Sequence, residues 1–328
     1  MKPNFFIVGA PKCATTAMSV YLSSHPDVFF SPSKEPFFFA TDLDHRWRER
    51  RSLESYLGLF DGANGHKRVG EGSSLYLFSR VAARQIHTFN RDARILIMLR
   101  DPAEMIYSLH GQWLYAANEN LTDFEAAIGA QRDRRRGKRI PPGAYFVEGL
   151  QYFAMARFSE QVARYFDVFG RDRVHITLQD DLRNDPVAAL GAATDFLGLE
   201  RMAIAPIGTV NKGRHVRFAG LRRIATHPMI RNLATLDRHI PFAPLRQRVA
   251  QLRRSVRQGV DALTAPVAAR PDMRIETRRM LAEEFAPEIM RLSRMINRDL
   301  SHWCRAPQVT VAARERTQVP VLQVVTEP

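Results

Sequence analysis

The sequence predicts an α/β fold: a single domain built on a parallel β-sheet flanked by helices. Three observations predict it. Short apolar runs alternate along the chain with stretches of helical period, the pattern left by strand–helix–strand units. The run Ile95-Leu96-Ile97-Met98-Leu99 is continuously apolar and closed on both sides by arginine, Arg94 and Arg100, which suits a strand covered on both faces. Asp101-Pro102 and Asp185-Pro186 each set an aspartate suited to an N-cap before a proline suited to the first helical position.

The elements follow in order. Phe5-Phe6-Ile7-Val8-Gly9 is the first strand, and 15–24, carrying Met18, Tyr21 and Leu22, is the first helix. A short strand is expected at 27–31, a helix at 52–60, a weak strand at 68–71 and a helix at 78–89. After the strand at 95–99 come helices at 102–117 and 122–134, the second opened by a capping box, Thr122-Asp123-Phe124-Glu125. A long helix at 149–169 shows Leu150, Phe153, Phe158, Val162, Tyr165 and Phe169 on one face. Val174-His175-Ile176-Thr177-Leu178 is the last clear strand. Domain 1–304 contains a variable basic helical insertion at 217–270, where Arg222, Arg223, Arg246, Arg248, Arg253 and Arg254 stand among Leu, Ile and Val. Residues 305–328 have no helical period, and a loose tail is expected there. No internal repeat is present.

Composition narrows the class. With 328 residues, 45% of them hydrophobic, the chain can fill one large core. No apolar run reaches the ~18–20 residues of a membrane span, and Met1-Lys2-Pro3-Asn4 leads straight into the first strand. That spacing leaves no room for a signal peptide or anchor. The two cysteines, Cys13 and Cys304, argue against a disulfide framework, so a cytoplasmic protein is expected. The net charge of +14 favours anionic ligands and surfaces. Nucleic acid is not expected as a partner, since C2H2 spacing and the RNP pattern are missing. The 217–270 segment reads either as solvated helices or as a peripheral contact with anionic surfaces. The basic run at 132–139 reads as a solvated face or as a contact for an anionic glycan.

Chemistry concentrates in Gly9-Ala10-Pro11-Lys12-Cys13-Ala14-Thr15-Thr16. A strand end, a tight loop and a helix start gather backbone N–H groups, a lysine and two hydroxyls, which is what a phosphate needs. The loop departs from G-x-x-x-x-G-K-[ST], because Pro11 precedes the lysine and Cys13-Ala14 separate it from Thr15. A small P-loop kinase is therefore the alternative reading. It would need an acidic Mg²⁺ ligand at a strand end, and the strand at 95–99 ends in Arg100. In open parallel sheets ligands bind beyond the carboxyl ends of the strands. Lys12 and Arg100 both stand just past such ends, so one edge can hold two phosphate groups of one nucleotide. Ser108, eight residues after Arg100, adds a hydroxyl two helical turns on. H-E-x-x-H and C-x-x-C are absent from the sequence, and no metal is expected.

Pro-Lys-x-small-Thr-Thr at a strand end resembles the 5′-phosphosulfate loop of the PAPS-dependent sulfotransferases, PAPS being 3′-phosphoadenylyl sulfate. Further segments are similar in the same order: Arg94 to Pro102 with Tyr107-Ser108, the 3′-phosphate segment; Gln179-Asp180-Asp181-Leu182 with Asp185-Pro186 and Phe196-Leu197-Gly198-Leu199; Asn211-Lys212-Gly213-Arg214, a late basic loop; and Asp299-Leu300-Ser301-His302-Trp303, a closing helix. The resemblance spans about 4–303 and implies a P-loop-like sulfotransferase fold. It implies sulfuryl transfer from PAPS, with PAP as product and no metal, to a hydroxyl or amine of a small-molecule, lipid or glycan acceptor. Lys12, Cys13, Ala14, Thr15 and Thr16 would hold the phosphosulfate, with Lys12 also catalytic on the leaving-group side. Arg100 and Ser108 would hold the 3′-phosphate, and Lys212, Gly213 and Arg214 would close over it.

Ser33-Lys34-Glu35-Pro36-Phe37-Phe38-Phe39 is similar to the Lys-Glu-x-x-Phe-Phe stretch of the glycan branch, whose glutamate is the catalytic base. Glu35 is the expected base, at the lip of an apolar acceptor pocket that includes Phe37; desolvation makes a carboxylate a better base. His110 is the reserve. Three departures mark this chain. Ala14 replaces the usual glycine, and alanine resists positive φ, so a right-handed conformation is expected there. Gly72, in Glu71-Gly72-Ser73-Ser74, stands where glycan enzymes often carry a second lysine. The histidine base of the aryl and steroid branch has no clear counterpart.

Overall fold

Five short strands pair side by side, and all their pairings are parallel. In the computed structural model, which describes residues 1–43, 51–202, 204–209, 214–215, 268–305 and 320–324, β1 (Phe5–Gly9), β2 (Val28–Phe30), β3 (Arg68–Gly72), β4 (Arg94–Leu99) and β5 (Val174–Leu178) form one sheet in the order β2-β3-β1-β4-β5. β1 is buried along its whole length, and its partners fix its level in the sheet: Phe5 lies beside Gly70 of β3 and Arg94 of β4. The central strand of a parallel sheet is covered on both faces, which is why Phe5, Phe6, Ile7 and Val8 are all apolar. The Ala10 N–H donates to the Met98 carbonyl at 2.7 Å, so pairing continues to the point where both strands give way to loops.

The chain groups into two compact units, Met1–Ile106 with Phe153–Asn211 and Met273–Pro328, and Tyr107–Tyr152 with Lys212–Asp272. The first holds the sheet with α1 (Thr15–Ser23), α2 (Leu53–Leu57), α3 (Ala82–Phe89), α8 (Phe158–Phe169), α9 (Gln179–Asn184), α10 (Pro186–Leu197) and α11 (Ile275–Ile296). α11 and the 3-10 turn after it are tied to the start of α9. Trp303 Nε1 donates to Asp180 at 2.7 Å, Arg298 to Asp181 at 2.6 Å, and Arg278 pairs with Asp101. The second unit contains α5 (Phe124–Gly129), α6 (Gln131–Arg135) and most of α4 (Pro102–Tyr115). Its centre is a buried ion pair: Arg134 grips Glu119 with both terminal nitrogens, at 2.7 and 2.8 Å, and Tyr152 donates to the same carboxylate at 2.9 Å. Arg134 thus leaves the exposed basic run to which its sequence neighbours belong. The Arg134 guanidinium and the Leu121 and Asn120 N–H groups hold the Glu119 carboxyl low despite burial, which alone would raise it.

Several elements differ from the expected spans. The helix expected at 149–169 is broken into a 3-10 turn, α7 (Tyr152–Met155) and α8. At the break the Gln161 amide donates to the Ala154 and Met155 carbonyls, and Glu288 accepts from the Ser159 N–H and hydroxyl. Long-range side chains satisfy the backbone that a continuous helix would have satisfied locally. The N-cap of α5 is Asp123, which accepts from the Ala126 N–H at 2.7 Å, one residue later than the Thr122 expected. Asp185 caps α10 as expected, accepting from Ala188 N–H at 2.9 Å. Within the tail expected to be loose, β9 (Pro320–Val324) pairs antiparallel with β6 (Ile204–Thr209). Most of the basic 217–270 segment lies outside the described residues. Among the described residues no helix is long and apolar enough to cross a membrane.

Candidate functional site

The loop after β1 is shaped by tight contacts with its neighbours. A Cβ on Gly9 would lie 2.6 Å from Leu77 Cβ and 2.7 Å from the Ser74 carbonyl, and Gly9 has a φ of +149°; glycine alone satisfies both conditions. Lys12 and Ala14 then adopt left-handed conformations, with φ of 65° and 64°. The right-handed conformation expected at Ala14 is thus corrected. Alanine here pays the steric penalty of the left-handed region, ~1–2 kcal/mol, and the loop keeps the shape a glycine would give it. Alternation of this kind turns successive N–H groups to one side, the arrangement that cradles anions. Ala14 is the N-cap of α1 and makes no side-chain cap. The first-turn N–H groups of Thr15 and Thr16 therefore face the loop with no acceptor inside the helix.

Beyond β4, Arg100 turns to Glu104, with Nη2 to Oε2 at 3.1 Å, rather than to the adjacent Asp101, which is taken by Arg278. The Arg100 Nε–H is buried and has no hydrogen-bond partner among the described residues. A buried, unsatisfied N–H on an arginine is costly unless an acceptor arrives. Lys12 and Arg100 both act electrostatically on the Cys13 thiol, yet burial pushes that thiol up to about 12. Cys13 is a packing residue of the loop, inert as a nucleophile.

The Glu35 segment forms the facing wall. Thr15, Thr16, Lys34, Glu35, Gly72 and Ser74 line one cavity. Glu35 has a φ of 52° and its N–H donates to the Gly72 carbonyl at 3.2 Å. The Ser74 hydroxyl donates to Glu35 Oε1 at 2.9 Å and fixes the direction of the carboxylate. Lys34 Nζ donates to Thr16 Oγ1 at 2.8 Å. Phe37, also left-handed at 52°, donates its N–H to Ser73 Oγ at 3.1 Å, and its ring meets Tyr76 edge-on. The whole stretch is fastened to the end of β3.

Glu71 lies behind that wall, entirely buried. Burial pushes its carboxyl up to about 8, against the opposing pull of the hydroxyls of Tyr76, Tyr56 and Ser73 beside it. The folded protein holds this proton where the unfolded chain, with an ordinary value near 4.5, releases it. Stability from this site is full below about 4.5 and is lost as pH rises toward about 8. Glu71→Gln should therefore flatten the fall in melting temperature across that window and raise it most at the alkaline end, as thermal unfolding at a series of pH values would show.

Ser108 and His110 lie on α4 in the second unit. His110 is buried, with Nε2 at 2.8 Å from the Leu121 carbonyl and Nδ1 at 2.6 Å from Arg270 Nη2. Since arginine can only donate, Nδ1 is the acceptor and Nε2 carries the proton. Burial pushes the ring down to about 4, and no lone pair is left for an acceptor's proton. The reserve base is thereby occupied with structural bonds. Lys212 and Gly213 lie outside the described residues, and Arg214 begins β7 (Arg214–His215), paired with β8 (Ala268–Ala269). Among the described residues no group of three His, Cys, Asp or Glu could hold a metal ion. Lys34, Ser73 and Ser74 have no assigned role in the sequence reading. The sequence signal for them is their position in the two segments that flank the left-handed turn at Glu35.

Comparison with known proteins places the chain in one family. The family model described as "Sulfotransferase domain" matches residues 2–212. Human carbohydrate sulfotransferase 15 is 31% identical over 169 residues, covering 38% of this chain and 30% of that protein. Mouse heparan sulfate glucosamine 3-O-sulfotransferase 6 is 28% identical over 206 residues, covering 61% of this chain and 53% of that protein. The chain thus spans from about a third to half the length of these curated relatives. A crystal structure of a sulfotransferase from Alicyclobacillus acidocaldarius superposes with a TM-score of 0.66 at 27% identity, covering 93% of this chain and all of that one.

Proposed function

Because the chain belongs to the sulfotransferase domain family, we propose that it moves a sulfuryl group from PAPS to an acceptor hydroxyl by in-line displacement, without a metal. The observation that carries the reading is the placement of two anion sites at one sheet edge: the uncapped start of α1 with its left-handed loop, and the buried, unsatisfied Nε–H of Arg100. A nucleotide with a 3′-phosphate and a 5′-phosphosulfate matches that pair. The bound nucleotide supplies an activated sulfuryl group. Thr15 and Thr16 bind the 5′ end through hydroxyls and helix N–H groups. Arg100 grips the 3′-phosphate with its planar fork, and Ser108, Lys212, Gly213 and Arg214 are assigned to the same end by resemblance. Lys12 donates to the oxygen that leaves as the S–O bond breaks. Glu35, aimed by Ser74, takes the proton from the attacking hydroxyl.

The carbohydrate sulfotransferases among the relatives, together with the Lys34-Glu35 segment, support a carbohydrate hydroxyl as acceptor, with Phe37 on the pocket wall. Two free cysteines suit a reducing compartment. The test is calorimetry with PAP. The parent protein should bind it, and Arg100→Ala should weaken binding about ten- to hundredfold, the value of hydrogen bonds to a charged group. Binding of ATP with Mg²⁺ in place of PAP would turn the reading to a kinase.

A further inference from the structure

We propose that Lys34 is a second cationic ligand of the transferring sulfuryl group, reaching it from the wall that carries Glu35. The proposal rests on the sulfuryl-transfer reading above and adds a residue to it.

Its first support is the direction of the side chain. Neighbouring residues of an extended segment point to opposite sides. Lys34 and Glu35 are consecutive, yet both line the one cavity bounded by Thr15, Thr16, Gly72 and Ser74. The left-handed backbone at Glu35, φ 52°, makes this possible, and such a conformation at a non-glycine residue persists only where surrounding bonds enforce it. Here the Glu35 N–H to Gly72 and the Phe37 N–H to Ser73 enforce it.

The second support is electrostatic. A lysine beside solvent ordinarily keeps its ammonium in water. The Lys34 ammonium stays exposed and is turned onto Thr16 Oγ1, to which it donates at 2.8 Å, a neutral hydroxyl in the first turn of α1. That turn is the positive end of the helix macrodipole, where a cation is unfavourable by ~0.3–1 kcal/mol. Lys12 adds a further positive charge to the same loop. A phosphosulfate, with two negative charges, complements the positive helix end, Lys12 and Lys34 together.

The third support is the reaction's own geometry. In an in-line displacement the base stands on the far side of the sulfur from the leaving oxygen. Lys12, Thr15 and Thr16 belong to the leaving-group side, Glu35 to the acceptor side. A cation next to Glu35 and within reach of Thr16 lies beside the equatorial oxygens of the sulfuryl group, where charge is held through the transfer. Opposite Lys34, Gly72 leaves the β3 wall without a side chain. A Cβ there would press on the Phe30 ring at 3.3 Å, so this part of the wall brings no charge to the cavity.

The experiment compares PAPS with PAP on Lys34→Met and Lys34→Arg. Lys34→Met keeps most of the stem and removes the charge. Its affinity for PAPS should fall about tenfold or more while its affinity for PAP, which has no sulfuryl group, stays within threefold. Release of ³⁵S-sulfate from labelled PAPS should slow about ten- to hundredfold. Lys34→Arg should recover a substantial part of both. Equal losses for PAP and PAPS would overturn the assignment and leave Lys34 as a tie between two loops. So would unchanged PAPS affinity and turnover in Lys34→Met. A parent protein that binds neither nucleotide would instead remove the sulfuryl-transfer reading itself, a distinct outcome.

Discussion

Lys12→Met should lower turnover about 10²–10³-fold, the usual cost of removing one donor aimed at charge that develops in the transition state. The expected size comes from what the leaving group needs. As the S–O bond breaks, negative charge collects on the bridging oxygen, and a charge-assisted hydrogen bond is worth most at that moment. Lys12 is held for this by a left-handed backbone between Pro11 and the buried Cys13, at the end of a fully buried strand. Methionine retains the length and tolerates the same backbone, so the loop keeps its shape. PAP affinity should fall as well, though far less, because the helix N–H groups and the threonine hydroxyls still hold the 5′-phosphate. Rates of ³⁵S-sulfate release measured beside PAP calorimetry separate the two effects. Turnover within tenfold of the parent would remove Lys12 from the leaving-group role.

Most of the frame was legible in the sequence because each signal was local. The continuous apolar runs at β1 and β4 have one physical explanation, burial on both faces, and both strands are buried throughout apart from Arg94. Asp185-Pro186 placed the start of α10 for an equally local reason. The misses share a cause in long-range contact. The break between α7 and α8 depends on Glu288, well over a hundred residues away in sequence, capping Ser159. The burial of Arg134 inside a basic run depends on Glu119, on the far side of α5 in the chain. At Ala14 intrinsic propensity favours a right-handed backbone, and the fold overrides it: the cradle's shape is set by Gly9 against Leu77 and Ser74 and by the β4 pairing. Lys34 was visible as a charge beside Glu35. Its direction was not, because the turn at Glu35 is imposed by Gly72 and Ser73 from another strand.

Glu35→Gln should lower turnover about 10²–10⁴-fold, the range of general base catalysis, and leave PAP affinity near that of the parent. Glutamine has the shape of glutamate and can still accept the hydrogen bond from Ser74 through its carbonyl oxygen, so the left-handed turn, the Gly72 contact and the seat of Lys34 survive the change. What is lost is the ability to take a proton. In the proposed reading the start of α1 and Arg100 hold the nucleotide, and Glu35 is not among its ligands. The contrast with Lys12→Met is therefore diagnostic: one variant loses rate alone, the other loses rate and part of its nucleotide binding. His110 offers no substitute, since its ring is buried with both nitrogens bonded to Leu121 and Arg270. Replacement of His110 should act through the packing of the second unit and appear as a change in melting temperature. If Glu35→Gln turns over at the parental rate, the proton leaves by another route, and the cavity between Thr16 and Ser74 is a binding wall without a base.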